Sequence, residues 1–316
     1  MTNLNKYISV LIIGFIITGC AERQMQPSYE FKQEVQKVHA PTIDKNVGIT
    51  GAAGELKRLT FGGYEELVSQ LSNDGKWLLM DTYNLDGNNR SETIIQKLSL
   101  ETGVKMILTP SNSTNNRAIW DTDDKSIIFT SKRSGSAIVQ SMGVDGESGI
   151  KFITNSSLGT ASEPDLNNQG TDIVFVLNNQ ISMIKPNGTQ VRMFGNGYLP
   201  KFSPNDDKIL FSKDIGERTH IFTMKTNGTQ LMQLTAENAS DFEGSWSPNG
   251  EQIAFISNRA NNHNHLFIMN NNGSNIIQLT DGNFDISSVH WGKDGNIYFS
   301  ANAGGNRDLW KLKPMK

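Results

Sequence analysis

At 316 residues, with 36% hydrophobic and 19% charged, the chain has the composition of a soluble globular protein with room for one large all-β domain or two smaller ones. A formal net charge of -3 excludes the basic footprint of a nucleic-acid binder. Its 29 glycines and frequent Asn-Gly and Asp-Gly pairs suit many short strands and turns.

Lys6 precedes an apolar run from Ile8 to Ile17. That is about half the ~20 residues needed to span a bilayer as a helix, and it matches the core of a secretory leader. The run ends in Ile17-Thr18-Gly19-Cys20, which resembles the lipobox of bacterial lipoproteins. The resemblance implies a signal peptide over residues 1–19 and lipidation of Cys20, the only cysteine. Acyl chains contribute ~0.8 kcal/mol per buried methylene, so two or three hold a protein on a membrane. Ala21 follows instead of Asp. By resemblance to the sorting rule of Gram-negative lipoproteins, this implies an outer-membrane lipoprotein facing the periplasm. Residues 20–54 are polar, with Pro27 and Pro41, and are expected to form a tether with a mean span of ~30 Å. Tyr29 to Val38 could form a short helix or a turn within it.

From there the chain repeats. The clearest unit runs from Ser245 to Thr280, where the apolar runs Ile253 to Ile256, Leu266 to Met269 and Ile276 to Leu279 are too short for helices. Asn249-Gly250 and Asn272-Gly273 supply turns between them, so the unit reads as a four-stranded antiparallel meander. Aligned copies place Leu71, Trp120, Leu166, Phe202, Trp246 and Trp291 in one column. Met80, Phe129, Phe175, Phe211, Phe255 and Phe299 form a second. Third strands recur at Leu98, Met142, Ile184, Met224, Met269 and Leu312. Fourth strands end at Leu108-Thr109, Ile153-Thr154, Met193-Phe194, Leu234-Thr235 and Leu279-Thr280. The sixth copy lacks a fourth strand, but Leu56 to Thr60 has its ending and precedes the first copy. The predicted fold is all-β, a six-bladed β-propeller over 55–316 with the last blade closed by the N-terminal strand.

The segment Ser-Pro-Asn-Gly-Glu-Gln-Ile-Ala-Phe-Ile-Ser-Asn-Arg from Ser247, followed by Leu266 to Gly273 and Gln278 to Thr280, resembles the repeat of TolB-type propellers. The resemblance covers about Glu55 to Lys313. TolB carries a separate α/β domain before its propeller, which residues 21–54 are too few to encode, so what TolB does through that domain is not implied here.

In this reading the short turns gather at one end of the ring, and variable loops gather at the other. These are Thr82 to Glu92, Lys132 to Ser136, Leu177 to Asn179, Lys213 to Thr219, Asn258 to Asn264 and Asn302 to Arg307. Binding is expected at that loop-rich face. The connections into the innermost strands carry Glu65, Glu66, Glu163, Asp241, Glu243 and Asp285. Glu65, Glu163, Asp241, Glu243 and Asp285 are therefore the candidate channel-mouth residues, suited to a cation or a basic segment of a partner, or simply to solvent. Arg133 and Arg259, after second strands, fit structural salt bridges. His263 and His265 form an H-x-H pair with no third ligand at fixed spacing, so no metal site and no cofactor are assigned.

No G-x-S-x-G elbow, P-loop, G-x-G-x-x-G or H-E-x-x-H is present, and no catalytic residue is assigned. The expected function is a lipid-anchored periplasmic protein-binding scaffold of the cell envelope, not an enzyme. Its partner is an envelope protein or peptide at the loop-rich face. The alternative is a propeller enzyme or sensor acting on a carbohydrate or peptide at the channel mouth.

Overall fold

Short apolar runs punctuated by residues that accept a left-handed backbone can bury a face only as hairpins, and hairpins are what form. The computed structural model describes Val35–Lys37, Gly48–Ile49 and residues 53–314, apart from 62, 84–91, 111–112, 146–148 and 237. The expected signal peptide, Cys20 and most of the expected tether lie outside the described residues.

Six antiparallel sheets follow one another. Blade 1 runs Glu65–Leu71, Trp77–Tyr83, Thr93–Ser99 and Val104–Ile107 from the axis outward. Blade 2 runs Asn115–Trp120, Ser126–Ser131, Ile138–Gly143 and Lys151–Phe152. Blade 3 runs Ala161–Leu166, Ile173–Leu177, Gln180–Ile184 and Arg192–Asn196. Blade 4 runs Tyr198–Phe202, Lys208–Ile215, Arg218–Lys225 and Met232–Gln233. Blade 5 runs Asp241–Trp246, Gln252–Ser257, His265–Asn270 and Ile277–Gln278. Blade 6 runs Ile286–Trp291, Ile297–Gly304 and Asn306–Pro314, and its fourth strand is Ala53–Arg58 from the other end of the chain.

The apolar columns fill the seams between blades. Met80, Phe129, Phe175, Phe211, Phe255 and Phe299 are all at most 3% exposed. Six apolar clusters form, each shared by two neighbouring blades. The cluster that joins Leu78 and Met80 of blade 1 to Tyr298 and Leu309 of blade 6 completes the ring.

The Leu-Thr endings have a second job. The hydroxyls of Thr109, Thr154, Thr235 and Thr280 accept hydrogen bonds from the third-strand amides of Ile95, Val139, Ile221 and Leu266, at 2.8 to 3.1 Å. Thr60 does the same for Leu309 in blade 6, at 2.9 Å. The closing strand thus reproduces the fourth strand in register and in side-chain chemistry, and Arg58 pairs with Asp308 beside it.

Two parts of the expected tether are strands. Val35–Lys37 pairs antiparallel with Val104–Met106 on the outer edge of blade 1, and Gly48–Ile49 pairs with Thr280–Asp281 after blade 5. Val35–Lys37 is extended where the sequence allowed a helix, because the open edge of blade 1 offers a ladder of unpaired backbone groups.

Candidate functional site

The inner strands are not regular. Each one shifts register against its second strand, and the residue at the shift in blades 2 to 5 has a left-handed backbone: Arg117, Glu163, Leu199 and Glu243, with φ of 54° to 56°. Such bulges bend a strand and re-aim its side chains. The conformation is unfavourable for these residues and persists because neighbours hold it.

The holding groups come from the preceding blade. Asp81 accepts the Arg117 amide with both carboxylate oxygens, at 3.1 and 3.0 Å. The Thr130 hydroxyl accepts the Glu163 amide at 3.0 Å, and the Ser212 hydroxyl accepts the Glu243 amide at 3.2 Å. In blade 1 the Val68 amide donates to the Ser300 hydroxyl at 2.8 Å. Blade 3 has Val176 at the acceptor position, and there the Glu163 carboxylate takes the Leu199 amide at 2.6 Å.

Bulge geometry sends two of these side chains to each other. Arg117 of blade 2 and Glu243 of blade 5 stand three blades apart, on opposite sides of a six-bladed ring. Arg117 Nη1 donates to Glu243 Oε1 at 2.5 Å, and Nη2 lies 3.5 Å from Oε2. This two-point ion pair crosses the axis. Around it, Val68, Arg117, Glu163, Leu199, Glu243 and Val289, one from each blade, line a cavity of about 30 Å³. That is room for a few water molecules and not for a sugar ring.

Burial disfavours the Arg117 charge, but Glu243 and Glu163 outweigh it and move its pKa up. Burial drives the other way at Asp81: it pushes the carboxyl up to about 6 despite the Arg117 amide and guanidinium and the Ser69 hydroxyl.

The five candidate carboxylates fall at two depths. Glu65, Asp241 and Asp285 stand where inner strands begin, at the mouth, whereas Glu163 and Glu243 stand at the bulges. Each has a partner. Arg307 donates to Glu65 at 2.6 Å and to the Ser287 hydroxyl at 2.7 Å. Arg259 donates to Asp241 at 2.8 Å and lies over the rings of Phe255 and Phe267. Asp285 accepts the Asn264 amide at 2.8 Å and lies 3.4 Å from His263 Nδ1. The mouth is therefore not a bare acidic ring: Glu65 and Asp241 each face an arginine, and Asp285 faces a histidine. Glu66 is turned away from Glu65, as strand alternation requires, and forms a buried pair with Lys105.

His263 and His265 diverge. His265 is buried, edge-on to Phe284, with Nε2 3.1 Å from Asn261 Oδ1, and burial lowers its pKa. Among the described residues, no three His, Cys, Asp or Glu side chains are placed to hold a metal ion.

The loop-rich face is trimmer than the sequence suggests. In blade 3 the connection is two residues, Asn178 and Asn179, both left-handed, and in blades 4 and 6 the strands run on to tight turns at Gly216-Glu217 and Gly305. Longer connections remain at Lys132 to Ser136 and Asn258 to Asn264. In blade 1, residues 84–91 of the Thr82 to Glu92 loop lie outside the described residues.

The sequence analysis missed Arg117 and Asp81. A signal existed: four residues before the Ser247 position, the aligned copies carry Val68, Arg117, Glu163, Leu199, Glu243 and Ser288, a column with both charge signs.

Residues 189–314, which run from the outer strand of blade 3 to the third strand of blade 6, match the family described as the TolB beta propeller domain. No curated protein matches the chain. Among solved structures, a protein described as TolB from Agrobacterium tumefaciens aligns with a TM-score of 0.60 and 15% identity, over 80% of this chain and 100% of that one. TolB from Acinetobacter baumannii aligns with a TM-score of 0.59 and 16% identity, over 79% of this chain and 65% of that one. A gluconolactonase from Xanthomonas campestris aligns with a TM-score of 0.62 and 11% identity, over 85% of this chain and 95% of that one. At these identities the likeness is one of fold. The chain is an all-β six-bladed propeller, and its segment 189–314 matches the TolB beta propeller domain.

Proposed function

We propose that this propeller is a lipid-anchored, protein-binding scaffold of the bacterial cell envelope, which engages an envelope protein or peptide at its loop-rich face. The observation that carries the reading is the Arg117–Glu243 pair, which spans the axis at the bulges and narrows the channel there, leaving the mouth above it as the surface for a partner. Glu65 and Asp285 are 37% exposed there, and their bonds to Arg307 and His263 are exchangeable for bonds to a partner. Lipidation at Cys20 and an outer-membrane, periplasm-facing location are part of the proposal.

Crosslinking in envelope fractions, followed by binding of the purified partner, tests this. Glu65→Gln with Asp285→Asn is expected to weaken the reconstituted complex about tenfold with the fold intact. Unchanged affinity removes the mouth from the account.

A propeller enzyme is the second reading. A gluconolactonase shares the fold, and Asp81, its carboxyl pushed up to about 6 by burial, holds the backbone of Arg117, which lines the cavity. Turnover of a lactone or uronate that is lost in Asp81→Asn would favour it.

A further inference from the structure

Blade 6 is assembled from both ends of the chain, and its outer strands bring together charges that are far apart in sequence. Lys57 and Lys311 stand directly opposite each other, and Lys313, two residues along the strand, lines the same cleft. Directly opposed like charges weaken a sheet. Among the described residues none of the three forms an ion pair.

The three lysines line a cleft of about 510 Å³ at the turn end of blade 6, within the size range of small-molecule sites. Asn249, Gln252 and Asn296 add neutral donors and acceptors, and Trp291 adds an apolar wall. Glu55 and Asp294 also line the cleft. Asp294 is already engaged: it accepts the Tyr298 hydroxyl at 2.7 Å and the Asn296 side-chain amide at 2.6 Å. An ammonium offers three donors around a compact charge, which suits the oxygens of a carboxylate or a phosphate.

We propose that this cleft binds an acidic saccharide, with its anionic group between Lys57 and Lys311 and its hydroxyls on the amides of Asn249, Gln252 and Asn296. With Glu55 and Asp294 the lining still carries one more positive charge than negative, and a bound anion relieves the direct opposition of Lys57 and Lys311. The cleft lies at the turn end of the ring, opposite the mouth, so the proposal stands or falls apart from the partner-binding reading.

Calorimetric titration of the full chain with D-glucuronate, glucose 6-phosphate, D-glucose and inorganic phosphate tests it. At least one charged sugar is expected to bind saturably, and at least tenfold more tightly than glucose or inorganic phosphate. The preferred one tells carboxylate from phosphate. Lys57→Gln with Lys311→Gln is expected to weaken that binding about tenfold, and Lys57→Arg with Lys311→Arg to retain it. Lys313→Gln, at the exposed end, gives a smaller loss should the double variant fold poorly. Thermal midpoints are read alongside, so that loss of binding at an unchanged midpoint reports on the cleft. The proposal is overturned if neither charged sugar binds, if glucose or inorganic phosphate binds as tightly, or if folded glutamine variants bind unchanged.

Discussion

Arg117 and Glu243 are 126 positions apart in sequence and meet at 2.5 Å across the propeller axis. No other ion pair among those described joins opposite blades. Each residue reaches the other because its backbone is left-handed, and each backbone is pinned by a side chain of the preceding blade.

Removal of one partner leaves the other charge poorly solvated in a narrow cavity. Arg117→Ala is therefore expected to destabilise the protein by about 2 kcal/mol, in the range of hydrogen bonds to charged groups. The double variant Arg117→Ala with Glu243→Ala should lose less than the sum of the singles. Urea midpoints of the four proteins measure this, and additive losses would mean that the pair is not coupled.

Asp81 gives the pH dependence a sign. Its folded pKa is about 6, above the ordinary 3.8, so between those values the folded protein binds the proton more tightly than the unfolded chain. This group therefore favours folding fully only below about 4, and the contribution is lost as pH rises through 6. From pH 4.5 to 7.5 the loss is about 2 kcal/mol. Asp81→Asn removes that increment from the difference between its urea midpoints at the two pH values. An identical pH profile in the variant would show that Asp81 ionises normally.

Ring closure rests on Thr60 as well as on apolar contact. Thr60→Val takes the acceptor from the buried Leu309 amide and should cost about 1–3 kcal/mol. Phe255→Ala in the blade 5 core should cost about 3–5 kcal/mol by the cavity it opens. Thermal unfolding should stay a single transition in both variants, since each affects one seam of a closed ring.

The scaffold was legible because it repeats. Trp246, Phe255 and Met269 have counterparts at fixed spacing in the other copies, and Thr60 marks the closing strand by matching Thr109, Thr154, Thr235 and Thr280. The axis was not legible in the same way. Strand alternation treats Glu243 and Glu163 as mouth carboxylates, and only the bulge turns Glu243 toward Arg117. The strands at Val35–Lys37 and Gly48–Ile49 are too short to show a pattern and exist because exposed edges accept them. Asn178-Asn179 reads as a loop by composition, whereas two left-handed asparagines make a two-residue hairpin.

Lipidation of Cys20 predicts that Cys20→Ser releases the protein from the membrane fraction after leader cleavage, or leaves it unprocessed, and that globomycin blocks processing of the natural chain. Fractionation with immunoblotting reads both. Unchanged membrane association and processing would remove the anchor from the account.

Site-specific photo-crosslinking in intact cells tests most directly whether the loop-rich face is where a partner binds. A photoreactive residue is placed at Ser136 or Ala260 on that face, and at Asn187 or Asn227 on the turn face, all four exposed. The account predicts a discrete protein adduct from Ser136 or Ala260 and none from Asn187 or Asn227. A discrete adduct from the turn face alone, or no adduct from any position, would contradict it.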